Sequence, residues 1–317
     1  MRGMFFMGVA LFLVLAGGLF EMLFSIITPC FKSVKTLRRT YESLLKQKEK
    51  DFEWILIDDA SPDNGETRKL ILELAEEAPF VVKYKFLVEN HFGTKSVYIA
   101  SLLASGEFAC ILDHDDELVS TALSDVKKMI YDFDILSKEK VAGVSGRCVN
   151  ERGELIGRMF RESIFQANEG DVRFKKKITC ELFQFTKVKI INKFFSQMKP
   201  GYTNGFCWAK ISECYDYVFT NSVLRIYDTY NPVSYSNSRT QKVMYPENKC
   251  VALIETLCCY EKYHKYNPLY TIRILASAHR YAILSNFDIS GLLKELPAHL
   301  RVLFRLLFIP AYIKSKL

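Results

Sequence analysis

No glycine-rich phosphate loop occurs in the 317 residues: neither GxGxxG nor GxxxxGK(S/T) is present. Dinucleotide enzymes and P-loop kinases cradle phosphate with such loops, so their absence argues against both classes. Nine cysteines (30, 110, 148, 180, 207, 214, 250, 258 and 259) form no CxxC pair and keep no Cys/His ligand spacing. Their odd number, and the apolar runs around several of them, read as reduced core residues without a disulfide framework or a zinc site. Helix-turn-helix and RNA-binding signatures are also missing. The formal charge of +7 and the short run Lys175, Lys176, Lys177 therefore do not make a nucleic-acid binder, and nucleic acid is not an expected partner. The charge remains compatible with an anionic partner of another kind.

Hydrophobic residues make up 49% of the chain, ample for a packed core. Residues 4–20 are almost uninterruptedly apolar after Arg2. Three readings compete for residues 1–22: a start-site extension with Met22 as the true start, a peripheral membrane anchor, or an export signal. Near the other end, Leu292, Leu293, Leu296, Leu300, Leu303, Phe304 and Leu307 fall on one helical stripe beside Lys294, Arg301, Arg305, Lys314 and Lys316. Such a helix either lies on an anionic membrane surface or packs on the domain.

Between these ends, apolar runs and helical periodicities alternate. Residues 24–28 read as a strand stopped by Pro29, followed by a helix carrying Leu37, Tyr41, Leu44 and Leu45 on one face. Strand 53–57 ends in Asp58, Asp59, Ala60, Ser61, Pro62 and Asp63, and Leu70, Ile71, Leu74 and Ala75 mark the next helix. Strand 83–88, helix 97–104 and strand 108–112 follow, and the last runs straight into Asp113, His114, Asp115 and Asp116. This alternation predicts a parallel sheet covered by helices, with the three polar clusters converging beyond the strand ends.

Carboxylates one residue apart at a strand end, Asp113 and Asp115, can turn oxygens toward one hard cation, with Mg²⁺ or Mn²⁺ the natural occupant. That cation would act as a Lewis acid on a departing diphosphate. Asp58 and Asp59, on another strand, can accept a hydrogen bond from a nucleobase imide, while Ser61 and Asp63 suit capping of the following helix. Lys95 either faces phosphate or is solvated.

The segments SIITPCF (25–31), WILIDDASPDN (54–64) and ASGEFACILDHDD (104–116) occur in this order over some ninety residues. Together they resemble the inverting glycosyltransferase family 2. The resemblance implies an α/β fold of GT-A type: a Rossmann-like, mostly parallel sheet flanked by helices, with a C-terminal helical extension. It divides the chain into a hydrophobic segment (1–22), a GT-A domain (23–240) and a helical, membrane-associating region (241–317). It implies sugar transfer with inversion, in surface polysaccharide or glycoconjugate synthesis, from a UDP- or GDP-sugar to a glycan or lipid-linked hydroxyl acceptor. The setting it implies is the cytoplasmic face of a membrane, with the chain held peripherally or by its N-terminus.

By the same resemblance, Pro29, Phe31, Asp58, Asp59, Asn90, Lys95, Asp113 and His114 bind the nucleotide-sugar, and Asp113 with Asp115 holds Mn²⁺ or Mg²⁺. Trp208, Arg225 and Tyr227 fit a C-terminal pattern of some family members, and ITCEL (178–182) fits an acceptor-side segment. Lys32 replaces the usual Asn, and Asn204 stands near where an acid is expected. An inverting mechanism needs a carboxylate to take the acceptor proton, and Glu181 and Glu213 are the candidates. An inactive nucleotide-sugar-binding partner of a glycan assembly complex is the first alternative, and a basic nucleic-acid-binding protein the less favoured one.

Overall fold

The computed structural model describes residues 22–178, 180–230, 244–285 and 288–307, so the expectations for the N-terminal apolar segment lie outside the described residues. The expected alternation opens the fold. Strand β1 (Phe24–Cys30) leads to helix α1 (Leu37–Leu45), β2 (Phe52–Asp58) to α2 (Glu66–Glu77), and β3 (Val81–Phe86) to α3 (Thr94–Ser101). Then come β4 (Phe108–Ile111), the two-residue β5 (Glu117–Leu118) and α4 (Ala122–Asp132). Apolar alternation explains the helices: Leu37, Tyr41 and Leu44 form the buried stripe of α1, and Ile71 and Leu74 that of α2.

The second half is mixed. It contains β6 (Val141–Val149), β7 (Ile164–Ala167), a short π-turn (Asp171–Lys175), β8 (Leu182–Lys187), α5 (Val188–Phe195), α6 (Asn204–Ser212) and β9 (Asp216–Ile226). Helix α7 (Pro246–Cys259), a 3₁₀ turn (Glu261–Tyr266), α8 (Pro268–Ser285), α9 (Ser290–Leu293) and α10 (Ala298–Leu306) complete the described chain.

All strands join one nine-stranded sheet in the order β3-β2-β1-β4-β8-β6-β9-β5, with β7 paired to β9. β1, β2, β3 and β4 are mutually parallel, β8 runs against β4 and β6, and β9 is parallel to β6. Strands β1, β2, β3, β4, β6 and β9 therefore point the same way, and their carboxyl ends share one edge of the sheet. The amino end of the reversed strand β8 reaches that same edge.

Central strands are apolar on both faces because helices cover both. Phe24, Ile26, Trp54 and Leu56 pack with α1, α2 and α4, whereas Ile27, Ile55, Ile57 and Ala109 pack with α3, α5 and α6. Each such aliphatic or aromatic side chain contributes about 1.5–3 kcal/mol on burial. Gly106 is required by this packing. A Cβ there would lie 2.7 Å from the carbonyl carbon of Phe24 and from the amide nitrogen of Ser25. Its own N–H donates to Ser25 Oγ at 2.9 Å.

The cysteines are all free; six are buried and Cys214 is exposed. The C-terminal stripe is not one helix. Pro297 separates α9 from α10, since the ring disfavours helical geometry in the residue before it. Leu296, Leu300 and Phe304 are buried against α7 and α8, which is the domain-packing alternative, while Val302 and Leu306 face outward. Among the described residues no helix is long and apolar enough to cross a membrane.

Candidate active site

At the shared edge, β1 ends in a loop whose entry is set by pairing: Asp59 N donates to Cys30 O at 2.8 Å and Lys32 N to Ser61 Oγ at 2.9 Å. Lys32 has φ 52, the left-handed region that asparagine tolerates better than lysine, so this substitution carries some backbone strain. Pro29 and Phe31 stand half-buried at this strand end.

The two acids after β2 do different things. Asp58, fully buried, accepts from Arg68 Nε at 2.9 Å and from Ser61 N at 3.1 Å, and is committed to the loop. Asp59 accepts from His91 N at 2.7 Å and Gly93 N at 2.8 Å, which fixes the turn before α3. A carboxylate has about four lone-pair sites, so Asp59 keeps acceptor capacity at the edge. Asp63 accepts from Thr67 N at 3.2 Å, a capping role of the kind its residue type suggested. In the tethered turn, Asn90 Oδ1 accepts from Phe92 N at 2.6 Å, and Lys95 is exposed at the start of α3.

The acidic cluster after β4 is held from several elements. Thr40 Oγ1 donates to the backbone oxygens of His114 (2.9 Å) and Asp116 (2.8 Å). Arg39 donates to the Asp115 carbonyl and to Asp228. The His114 Nδ1 lies 2.8 Å from Thr36 Oγ1, and burial pushes its pKa down. Burial, then the charge of Asp115, raises the Asp113 carboxyl to about 6. Asp116 is driven well above the ordinary range by burial, against the opposing pull of Arg225.

Arg225, near the end of β9, is the hub. Its guanidinium lies 3.1 Å from Asp116 Oδ2 and donates to Glu181 Oε1 at 2.8 Å, with the rings of Phe183 and Tyr227 at 5.0 and 4.8 Å. Glu181 is thereby held at the amino end of β8, close enough to Asp113 to raise its pKa. The structure thus brings Glu181 to the aspartates. Glu213 goes elsewhere: it ends α6, pairs with Lys210 at 3.7 Å, and lines a cavity at the opposite edge of the sheet. Asn204 begins α6, and its Oδ1 is buried with no hydrogen-bond partner among the described residues.

Arg39 and Arg68 were not singled out from the sequence. The Arg39–Asp228 contact joins residues 189 apart in the chain, and no local signal announces it. Among the described residues, no group of three or more His, Cys, Asp or Glu is arranged to hold a metal.

Residues 25–176 match the family model described as Glycosyl transferase family 2. A GalNAc(5)-diNAcBac-PP-undecaprenol beta-1,3-glucosyltransferase of Campylobacter jejuni is 32% identical over 179 residues, covering 55% of this chain and 51% of the relative. The poly(ribitol-phosphate) beta-N-acetylglucosaminyltransferase TarP of Staphylococcus aureus is 34% identical over 186 residues, covering 55% and 53%. The chain thus spans about half the length of these curated relatives. Among solved structures, S. aureus TarS 1-349 in complex with UDP-GlcNAc aligns with TM-score 0.61 at 18% identity, covering 92% of this chain and 89% of that one. The mannosyltransferase PcManGT of Pyrobaculum calidifontis, in complex with GDP-Man and Mn²⁺, aligns at 0.53 with 15% identity, covering 92% and 86%. At these identities the likeness is one of fold.

Proposed function

We propose, from the match of residues 25–176 to glycosyltransferase family 2 and the fold shared with a UDP-GlcNAc-bound structure, that the chain moves a sugar from a nucleotide-diphosphate donor to a hydroxyl acceptor, with inversion, in surface polysaccharide or glycoconjugate synthesis. The observation that carries this reading is the arrangement at the sheet edge, where Asp113 and Asp115 stand beside a glutamate that Arg225 ties in place. Pro29 and Phe31 flank the nucleoside, and Asp59 accepts from the base. Lys95, exposed at the start of α3, meets phosphate.

A divalent cation fits the donor set. Burial and the charge of Asp115 disfavour the ionised form of Asp113, which a cation would relieve, and a hard ion with two protein ligands takes the rest from diphosphate and water. The Mn²⁺ complex of the archaeal mannosyltransferase supports Mn²⁺ or Mg²⁺. When bound, the cation supplies Lewis acidity to the departing diphosphate.

Glu181 is the base. It takes the acceptor hydroxyl's proton as that oxygen bonds to the anomeric carbon and the bond to diphosphate breaks on the opposite face. Its place beside Asp113 favours it over Glu213. The relatives are named for a PP-undecaprenol-linked glycan and a poly(ribitol-phosphate), which supports a lipid-linked or glycan acceptor. That acceptor class in turn supports work at the cytoplasmic face of a membrane. The division at residues 23 and 241, with the last part approaching lipid, belongs to this same reading.

Asn204 favours a second reading, an inactive binding partner, because it stands near where the family resemblance leads one to expect an acid. Calorimetric titration with UDP, GDP and their sugar conjugates, with and without Mn²⁺, tests the first step. Metal-dependent binding that Asp115→Ala loses is expected; no binding by any nucleotide would sink both readings. Binding without transfer to any acceptor would leave the inactive partner.

A further inference from the structure

The cavity that Glu213 lines has a volume of about 670 Å³ and lies at the amino ends of β6 and β9. Lys140 and Asp216 mark it, and Asp216 N donates to Lys140 O at 2.9 Å. Asp216 and the hub Arg225 are nine residues apart on the single strand β9, about 30 Å at 3.3 Å per residue. The cavity is thus a full sheet's width from the aspartates.

Two features of the sequence that the catalytic site leaves unused meet here: the lysine run starting at Lys175, and the tyrosine-rich segment of the 3₁₀ turn. The Lys175 ammonium lies 5.5 Å from the ring centres of both Tyr263 and Tyr266. Carboxylates in the wall are already engaged: Asp171 with Lys175 at 2.6 Å, Glu213 with Lys210 at 3.7 Å, and Asp216 with Gln166 Nε2 at 3.0 Å. Lys140, Lys262 and Lys265 have no carboxylate partner among the described residues. Asp216 is bonded only to a neutral amide and keeps its charge, so these three lysines against one carboxylate leave the wall net positive, which favours negative charge. The exposed Tyr266 adds an aromatic ring and a hydroxyl of the kind that suit a sugar ring.

We propose that this cavity binds a glycan strand bearing phosphate or carboxylate groups, holding the acceptor or product chain away from the transfer site; only that link to transfer rests on the glycosyltransferase reading. A cavity on the far edge lets a polymer be gripped while its end is elongated, which raises the effective concentration of that end at the aspartates.

The test is calorimetry on the full chain with tetragalacturonate, its neutral methyl ester and tripolyphosphate. The variants are Tyr266→Ala and the double variant Lys262→Ala/Lys265→Ala; all three positions are exposed, so folding is expected to be unaffected. Tetragalacturonate should bind at least tenfold more tightly than the ester, and each variant should weaken it at least tenfold. Titration with UDP and Mn²⁺ should be unchanged in both variants. Failure of tetragalacturonate to bind, or binding unaltered in the variants, overturns the assignment. So does tripolyphosphate binding equally well with Tyr266 irrelevant, which would mark a simple anion site. Glycan binding that depends on Tyr266, in a protein that ignores every nucleotide, would uphold the cavity and sink the transferase reading.

Discussion

Asp113 shows how a buried carboxylate can oppose the stability of its own fold. Its carboxyl is raised from 3.8 to about 6, so the folded state prefers the protonated form. Ionisation costs nothing below about pH 4, the cost grows as pH rises toward 6, and it is complete above that. In the metal-free protein, Asp113→Asn should therefore raise stability by about 1–2 kcal/mol at pH 7 and by nothing at pH 4, read from Tm across pH. The same substitution should abolish metal-dependent nucleotide binding. Glu181 offers a cleaner separation. Glu181→Gln keeps an oxygen for Arg225 but removes the proposed base, so turnover should fall about 10²–10⁴-fold while UDP affinity changes less than twofold. Glu213→Gln, measured beside it by nucleotide release, should leave turnover within twofold; a large loss there would reverse the assignment of the base.

At the scale of elements, the strand-end loops are fixed by pairing between segments far apart in sequence. Asp59 reaches the turn before α3, Thr40 on α1 holds the turn after β4, and Arg39 joins that turn to the end of β9. Gly106 sets how closely the approach to β4 can run beside β1. Gly106→Ala forces a Cβ into the β1 backbone at 2.7 Å, so it should cost about 1–3 kcal/mol, seen as a lower denaturant midpoint with unchanged slope. This glycine lies inside the segment 104–116 that carries the family resemblance, though its packing role was not read from it. Arg39, Arg68 and Thr40 were not legible, because their partners are brought near only by packing of α1 and α2 on the sheet.

For the whole molecule, ligand and fold are linked by mass action. UDP with Mn²⁺ at one hundred times the dissociation constant should add about 2.7 kcal/mol. For a chain of this size that is roughly 4 °C in Tm, and the metal-dependent part should vanish with EDTA. The C-terminal helices constrain any membrane contact. With Leu296, Leu300 and Phe304 spent on packing, the apolar side chains that α10 leaves for lipid are the outward Val302 and Leu306.

The sequence by itself determined the alternating first half, the strand-end placement of the two acidic clusters, and the resemblance to glycosyltransferase family 2, because each depends on short-range periodicity and contiguous segments. Tertiary structure alone decided which carboxylates share a site. Asp58 turned inward to Arg68, Glu181 came to Arg225, and Glu213 was carried to the opposite edge, because β8 runs against its neighbours while α6 ends at the far side. Strand direction and long-range charge pairing set those positions, and neither leaves a local mark in the chain.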